Sequence, residues 1–150
     1  MSDSEQRLKV LFLCTGNSCR SQMAEAWARH LKGTSVDAHS AGTAPQGLNP
    51  LAVQVMEEAG VNMDGLKSKH VDEFLDYPLD FVVTVCGSAR DGCPVFSRPV
   101  ESIHAGFDDP PQLAMGAKSH EEALQHYRRV RDEIKKFVEQ LPETLGAKGK

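Results

Sequence analysis

Cys14, five intervening residues, Arg20 and Ser21 form one short string, C-T-G-N-S-C-R-S, directly after the apolar run Val10-Leu11-Phe12-Leu13. A loop of this kind between a strand and a helix can turn the backbone N–H groups of Thr15, Gly16, Asn17, Ser18 and Cys19 toward one point. A helix opening near Ser21 aims its positive end at the same place. The residues therefore suit a cradle for a tetrahedral oxyanion with a thiol at its floor. In such a field a thiol pKa falls from about 8.5 into the range of roughly 3.5–7.5, so Cys14 is expected as a thiolate nucleophile. Arg20 supplies a planar fork matched to two anion oxygens. Gly16 is the expected tight-turn residue, Asn17 is expected to fix the loop through side-chain bonds to the backbone, and Ser21 to donate to the sulfur. A cysteine ending an apolar strand is by itself more often a small buried hydrophobe. Gly16, Asn17, Arg20 and Ser21 in register change that reading, while Cys19 is expected to be structural.

Two further cysteines, Cys86 and Cys93, bracket the polar segment Gly87–Gly92 after a second apolar run, Phe81–Val85. Incidental burial is one reading and redox chemistry the other. Asp109 precedes Pro110, whose ring stiffens the loop and can hold a carboxyl in place as a general acid. Asp-Pro is also an ordinary turn pair, and Asp108 is the weaker candidate.

The elements that must position these residues alternate. Lys9–Leu13 reads as a central strand. A helix over Ser21–Leu31 places Ala24, Trp27 and Leu31 on one side and is stopped by Gly33. Val36–Ser40 alternates like an edge strand, and Asn49-Pro50 opens a helix that runs to Gly60. Phe81–Val85 and Glu101–His104 are strands, and Ser119 caps a final helix with a stripe of Tyr127, Val130, Ile134, Phe137, Val138 and Leu141. This pattern predicts a single-domain three-layer α/β/α fold with a four-stranded parallel sheet of order 2-1-3-4, the flavodoxin-like scheme. Ligands there sit at the carboxyl ends of strands 1 and 3, which brings Cys14 and Cys86 to one crevice. Expected boundaries are a flexible tail over 1–7, a domain over 8–142 and a second flexible tail over 143–150.

A chain of 150 residues with 40% hydrophobic content suits one core, and a net charge of −4 argues against nucleic-acid or acidic-membrane partners. With neither a leader pattern nor an apolar stretch of about 20 residues, the chain is expected to be cytoplasmic and a monomer. In a reducing compartment its four cysteines are not expected to be permanent staples. The basic residues from Arg128 to Lys136 interleave with Asp132, Glu133 and Glu139, with pairs such as Arg129–Glu133 and Asp132–Lys136 on a solvated face. Neither a nucleotide fingerprint nor metal-ligand spacing among the six histidines is present.

The motif Cys-x5-Arg-Ser resembles the low-molecular-weight tyrosine phosphatases and the arsenate reductases that share their fold. The string from Cys14 to Glu25, with Cys86, Cys93 and Asp108-Asp109-Pro110, is most similar to the reductase branch of the thioredoxin-coupled type. The resemblance covers about Lys9 to Leu141. It implies reduction of arsenate to arsenite in arsenic detoxification. A phosphatase needs one thiolate, whereas reducing arsenate takes two electrons, which a thiol pair gives up by becoming a disulfide. On this stoichiometry and the resemblance together, Cys14 is the nucleophile, Cys86 and then Cys93 resolve, and the disulfides are Cys14–Cys86 and Cys86–Cys93. Thioredoxin supplies the electrons, with glutaredoxin and glutathione as the other choice, and no cofactor is tightly bound. Phosphate and sulfate are expected to compete with arsenate, and weak phosphatase side activity is expected.

Some such reductases hold a potassium ion. Asn17, Glu25 and Ser40 match that site, but Lys69 stands where the resemblance expects an aspartate, so the ion is doubtful here. The alternative function is a low-molecular-weight protein tyrosine phosphatase using Cys14, Arg20 and Asp109 in the same roles. Pro111-Gln112-Leu113 after the Asp-Pro, in place of that family's paired tyrosines, disfavours an aryl phosphate. A four-cysteine zinc module is disfavoured by the Cys86-x6-Cys93 spacing. A thiol redox sensor or arsenite-binding protein is a third reading, separated by turnover with arsenate and a dithiol.

Overall fold

A computed structural model describes residues 7–87, 96 and 100–141. Cys93, most of the polar segment around it, and nearly all of both expected tails lie outside the described residues. Four parallel strands form one sheet of order β2-β1-β3-β4, from β1 (Leu8–Cys14), β2 (Val36–Gly42), β3 (Phe81–Thr84) and β4 (Glu101–His104). Between and after them run α1 (Arg20–Lys32), α2 (Pro50–Glu58), a 3₁₀ turn (Val71–Phe74), a short α3 (Pro110–Ala114) and α4 (His120–Glu139).

The two apolar runs take the centre because only there are both faces covered. Val10 to Leu13 in β1 and Val82 and Val83 in β3 are fully buried. β4 carries the sequence Glu-Ser-Ile-His and stays exposed or half-buried at the far edge. Asn49 opens α2 by accepting from Leu51 N at 2.8 Å and Ala52 N at 3.2 Å, and Ser119 opens α4 by accepting from Glu122 N at 3.1 Å. The stripe of Leu124, Tyr127, Val130, Ile134 and Val138 then lays α4 across α1 and α2.

Three local expectations are corrected. Leu31 is 36% exposed, so only Ala24 and Trp27 of that trio are core. α1 stops at Gly33 as expected, there with right-handed dihedrals (φ −57°, ψ −23°), whereas α2 is followed by the left-handed Gly60 (φ +84°). Asp109-Pro110 begins a short helix rather than a simple turn. Of the two surface pairs expected on α4, Arg129–Glu133 forms at 2.9 Å, but Asp132 is paired with Arg131.

Candidate active site

β1 ends at Cys14, and the chain turns through Thr15–Cys19 into α1, whose N-terminal boundary residue is Cys19. Each carbonyl of this turn has a partner behind the loop. Cys14 O, Thr15 O, Gly16 O and Ser18 O accept from the N–H groups of Thr43, Ala44, Gln46 and Asn49 at 2.8–3.3 Å, and Cys19 O accepts from Met23 N at 2.9 Å. Asn17 O accepts from Ser68 Oγ at 2.6 Å and Gln22 Nε2 at 3.0 Å. Because the peptide unit is planar and trans, a carbonyl fixed outward turns the next N–H the opposite way. The amides of Thr15 to Arg20 thereby face the concave side.

That side is a cavity of about 520 Å³ lined by Cys14 to Arg20, Gln46, Cys86, Gly87, Asp109, Pro111 and Gln112. The sites expected from β1, β3 and the end of β4 thus meet in one crevice. Asn17 rather than Gly16 takes the left-handed backbone, with φ +46°, a conformation that asparagine tolerates better than most residues. Its buried side chain is fully used: Nδ2 donates to Ser21 Oγ at 2.9 Å, and Oδ1 accepts from Lys69 N at 2.8 Å and Gln22 Nε2 at 3.2 Å. Gly42, at the end of β2, is required by close approach, since a Cβ there would lie 2.5 Å from Thr15 O and 2.9 Å from Asn17 N.

The thiols correct the expectation of a lowered pKa. Cys14 is raised above the ordinary thiol value, first by its hydrogen bond with Cys86 and then by burial, while Arg20 and the Thr15 N–H pull it down. Ionising one of two adjacent thiols disfavours ionisation of the other. Cys86 also lies 3.5 Å from Thr15 Oγ1. Cys19 is buried and pushed up to about 12, by burial against the pull of Arg20. Cys14 is hydrogen-bonded to Cys86 and to the Thr15 N–H, and the Ser21 hydroxyl accepts from Asn17 Nδ2.

Arg20 reaches across the cavity. Its Nη1 donates to Phe107 O at 2.8 Å and its Nη2 lies 3.6 Å from Asp109 Oδ1. Asp109 precedes α3 but makes no side-chain cap bond, so its carboxyl faces the cavity instead. Asp108 is separated from it functionally: its Oδ2 is 3.0 Å from Arg129 Nη2 on α4.

Beneath the loop, Glu25 is 1% exposed and surrounded by donors. Ser40 Oγ donates to its Oε1 at 2.6 Å, Arg29 Nη2 lies 2.6 Å from Oε2, and Lys69 Nζ lies 3.8 Å from Oε1. Burial lowers the Lys69 pKa, with Glu25 opposing.

Sequence reasoning missed Gln22, Gln46 and Ser68. Gln22 lies within the Cys14–Glu25 string but carries no chemistry by type, and Gln46 and Ser68 belong to no motif; they are recruited only when the loop, the segment after β2 and the segment before the 3₁₀ turn come together.

A thiol at the floor of the loop, with an arginine fork and a carboxyl on the opposite side, defines the class. The chain belongs to the low molecular weight phosphotyrosine protein phosphatase family, whose model matches residues 9–150. Within it, the chain is 45% identical over 135 residues to an arsenate reductase of Halalkalibacterium halodurans, covering 90% of this chain and 95% of that one. Among solved structures it is similar to an arsenate reductase in its phosphate-binding state, with TM-score 0.71 and 31% identity over 89% of this chain and 95% of that one. It is also similar to the Corynebacterium glutamicum thioredoxin-dependent arsenate reductase, with TM-score 0.62 and 28% identity over 90% of this chain and 63% of that one.

Proposed function

We propose that this protein reduces arsenate to arsenite by a relay through Cys14, Cys86 and Cys93. The observation that carries the reading is Cys86 in hydrogen-bonding contact with Cys14 inside the oxyanion cavity, where hydrolysis of a phosphoenzyme would need no second thiol. Cys14 attacks arsenic, an As–S bond forms, and the displaced oxygen leaves as water with a proton from Asp109. Cys86 then attacks the Cys14 sulfur. The As–S electron pair stays on arsenic, which departs as arsenite, and a Cys14–Cys86 disulfide remains. Cys93 attacks Cys86, frees Cys14 and leaves Cys86–Cys93 for an external dithiol. Thioredoxin is the reductant of choice, on the strength of the Corynebacterium relative's name.

The loop amides and Arg20 accept phosphate as they accept arsenate, so competition and a weak phosphatase side activity follow. Lys69 takes the place of a potassium ion. Its ammonium neighbours Glu25, and the Asn17 Oδ1 that such an ion would need already accepts two hydrogen bonds. The reading includes a cytoplasmic monomer.

The test is arsenate with thioredoxin, thioredoxin reductase and NADPH. Wild type consumes NADPH continuously, whereas Cys93→Ser gives one arsenite per protein and stops with Cys14 bonded to Cys86. Unchanged steady-state turnover in Cys93→Ser would refute the relay.

A further inference from the structure

Two side chains outside the cavity lining end on the carbonyls of the anion loop. Gln22, in the first turn of α1, is fully buried and directs Nε2 to Asn17 O at 3.0 Å, Asn17 Oδ1 at 3.2 Å and Lys67 O at 2.9 Å. Ser68, more than 50 residues along the chain from the loop, places Oγ 2.6 Å from Asn17 O and 3.0 Å from Gly16 O, and accepts from Gly47 N at 3.1 Å. Ser68 therefore reaches the peptides on both sides of Asn17, and Gln22 the one that follows it.

That grip matters because the loop does not hold this shape from local preference. Asn17 is left-handed, which costs a residue with a Cβ, and the conformation persists only where its surroundings over-determine it. The Gln22 amide has one orientation: reversing it would set its oxygen against three carbonyl oxygens. In the orientation present, Gln22 Oε1 is buried with no hydrogen-bond partner among the described residues. Burying a bare carbonyl is unfavourable, so the side chain's contribution lies in its donor end.

We propose that Gln22 and Ser68 are positioning residues of the oxyanion cradle, which hold the Gly16 and Asn17 carbonyls from behind so that the Asn17 and Ser18 N–H groups point at a bound tetrahedral anion. The proposal deepens the reading of the cavity as an oxyanion site and rests on it. It is tested by equilibrium binding, which does not depend on the thiol relay.

The experiment is calorimetric binding of inorganic phosphate to wild type, Ser68→Ala, Ser68→Thr, Gln22→Met and the Ser68→Ala/Gln22→Met double variant, with an unfolding midpoint for each. Each of Ser68→Ala and Gln22→Met weakens phosphate about tenfold, as loss of aimed amide dipoles should. Ser68→Thr, which keeps the hydroxyl, binds within about twofold of wild type. The double variant loses less than the product of the two, because both groups share Asn17 O. In arsenate reduction the same variants raise KM more than they lower kcat. Unchanged phosphate affinity in the single variants overturns the proposal, as does a loss that follows the unfolding midpoint and is not rescued by threonine. Ser68 is only half-buried, so Ser68→Ala decides the matter if Gln22→Met fails to fold. A wild type that does not bind phosphate removes the oxyanion reading and the proposal together.

Discussion

The wall of the cavity from Cys14 to Arg20 is tied to the body of the protein at every carbonyl, whereas the facing wall that carries Asp109 follows β4, an edge strand left exposed or half-buried. The second wall is attached through Ala105 N to Thr84 O at 2.8 Å, Phe107 N to Val85 O at 3.2 Å and a Phe107–Phe137 ring contact. Under the proposed function the difference follows two tasks. Gripping an anion with several amides demands that their directions be fixed before binding, while delivering one proton demands only a carboxyl within reach. Arg20 joins the walls, rooted in α1 and bonded to Phe107 O.

Substituting Arg20 with lysine breaks that junction and gives the largest effect. A point charge remains, but the fork and the bond to Phe107 O are lost, and kcat/KM for arsenate falls about 10²–10³-fold. A variant within threefold of wild type would show that the walls need no arginine between them.

Asp109→Asn separates the walls' functions. The first chemical step slows roughly 10²-fold in single-turnover quench, while phosphate affinity, set by the opposite wall, is retained. Equal single-turnover rates would remove Asp109 from proton delivery.

The smallest effect sharpens the account of the tied wall. Cys86 is the largest influence raising the Cys14 pKa, so Cys86→Ala moves the pH profile of Cys14 alkylation to lower pH. More thiolate is then present at pH 7, and the rate with iodoacetamide rises about threefold or more, less than in proportion to the thiolate because intrinsic nucleophilicity falls with the pKa. A profile that stays in place, or moves upward, would mean that Cys86 does not hold the Cys14 pKa up.

The contiguous string from Cys14 to Ser21 made the cradle legible, because a strand, loop and helix in direct succession place local residues with little help from elsewhere. Strand order and the meeting of Cys14 with Cys86 also followed from patterning, since the two most apolar runs must lie centrally and parallel strands reverse their order there. The pKa of Cys14 did not follow. The expected lowering assumed only the cradle's positive field, and the thiol from β3 beside Cys14 reverses the balance. Gly16 was a reasonable turn residue by type, yet Asn17 takes the left-handed backbone because Ser21, Gln22, Ser68 and Lys69 all converge on it.

By itself, then, the sequence determined which groups could do chemistry and which strands would carry them to one edge of the sheet, since residue type and hydrophobic period are local properties. The tertiary structure alone decided how the loop amides are aimed, that Asp108 is spent on Arg129, and that Arg29 joins Lys69 against Glu25 beneath the loop. Those outcomes depend on hydrogen bonds between segments far apart in the chain, and a hydrogen bond is settled by distance and angle, which only the packed fold supplies.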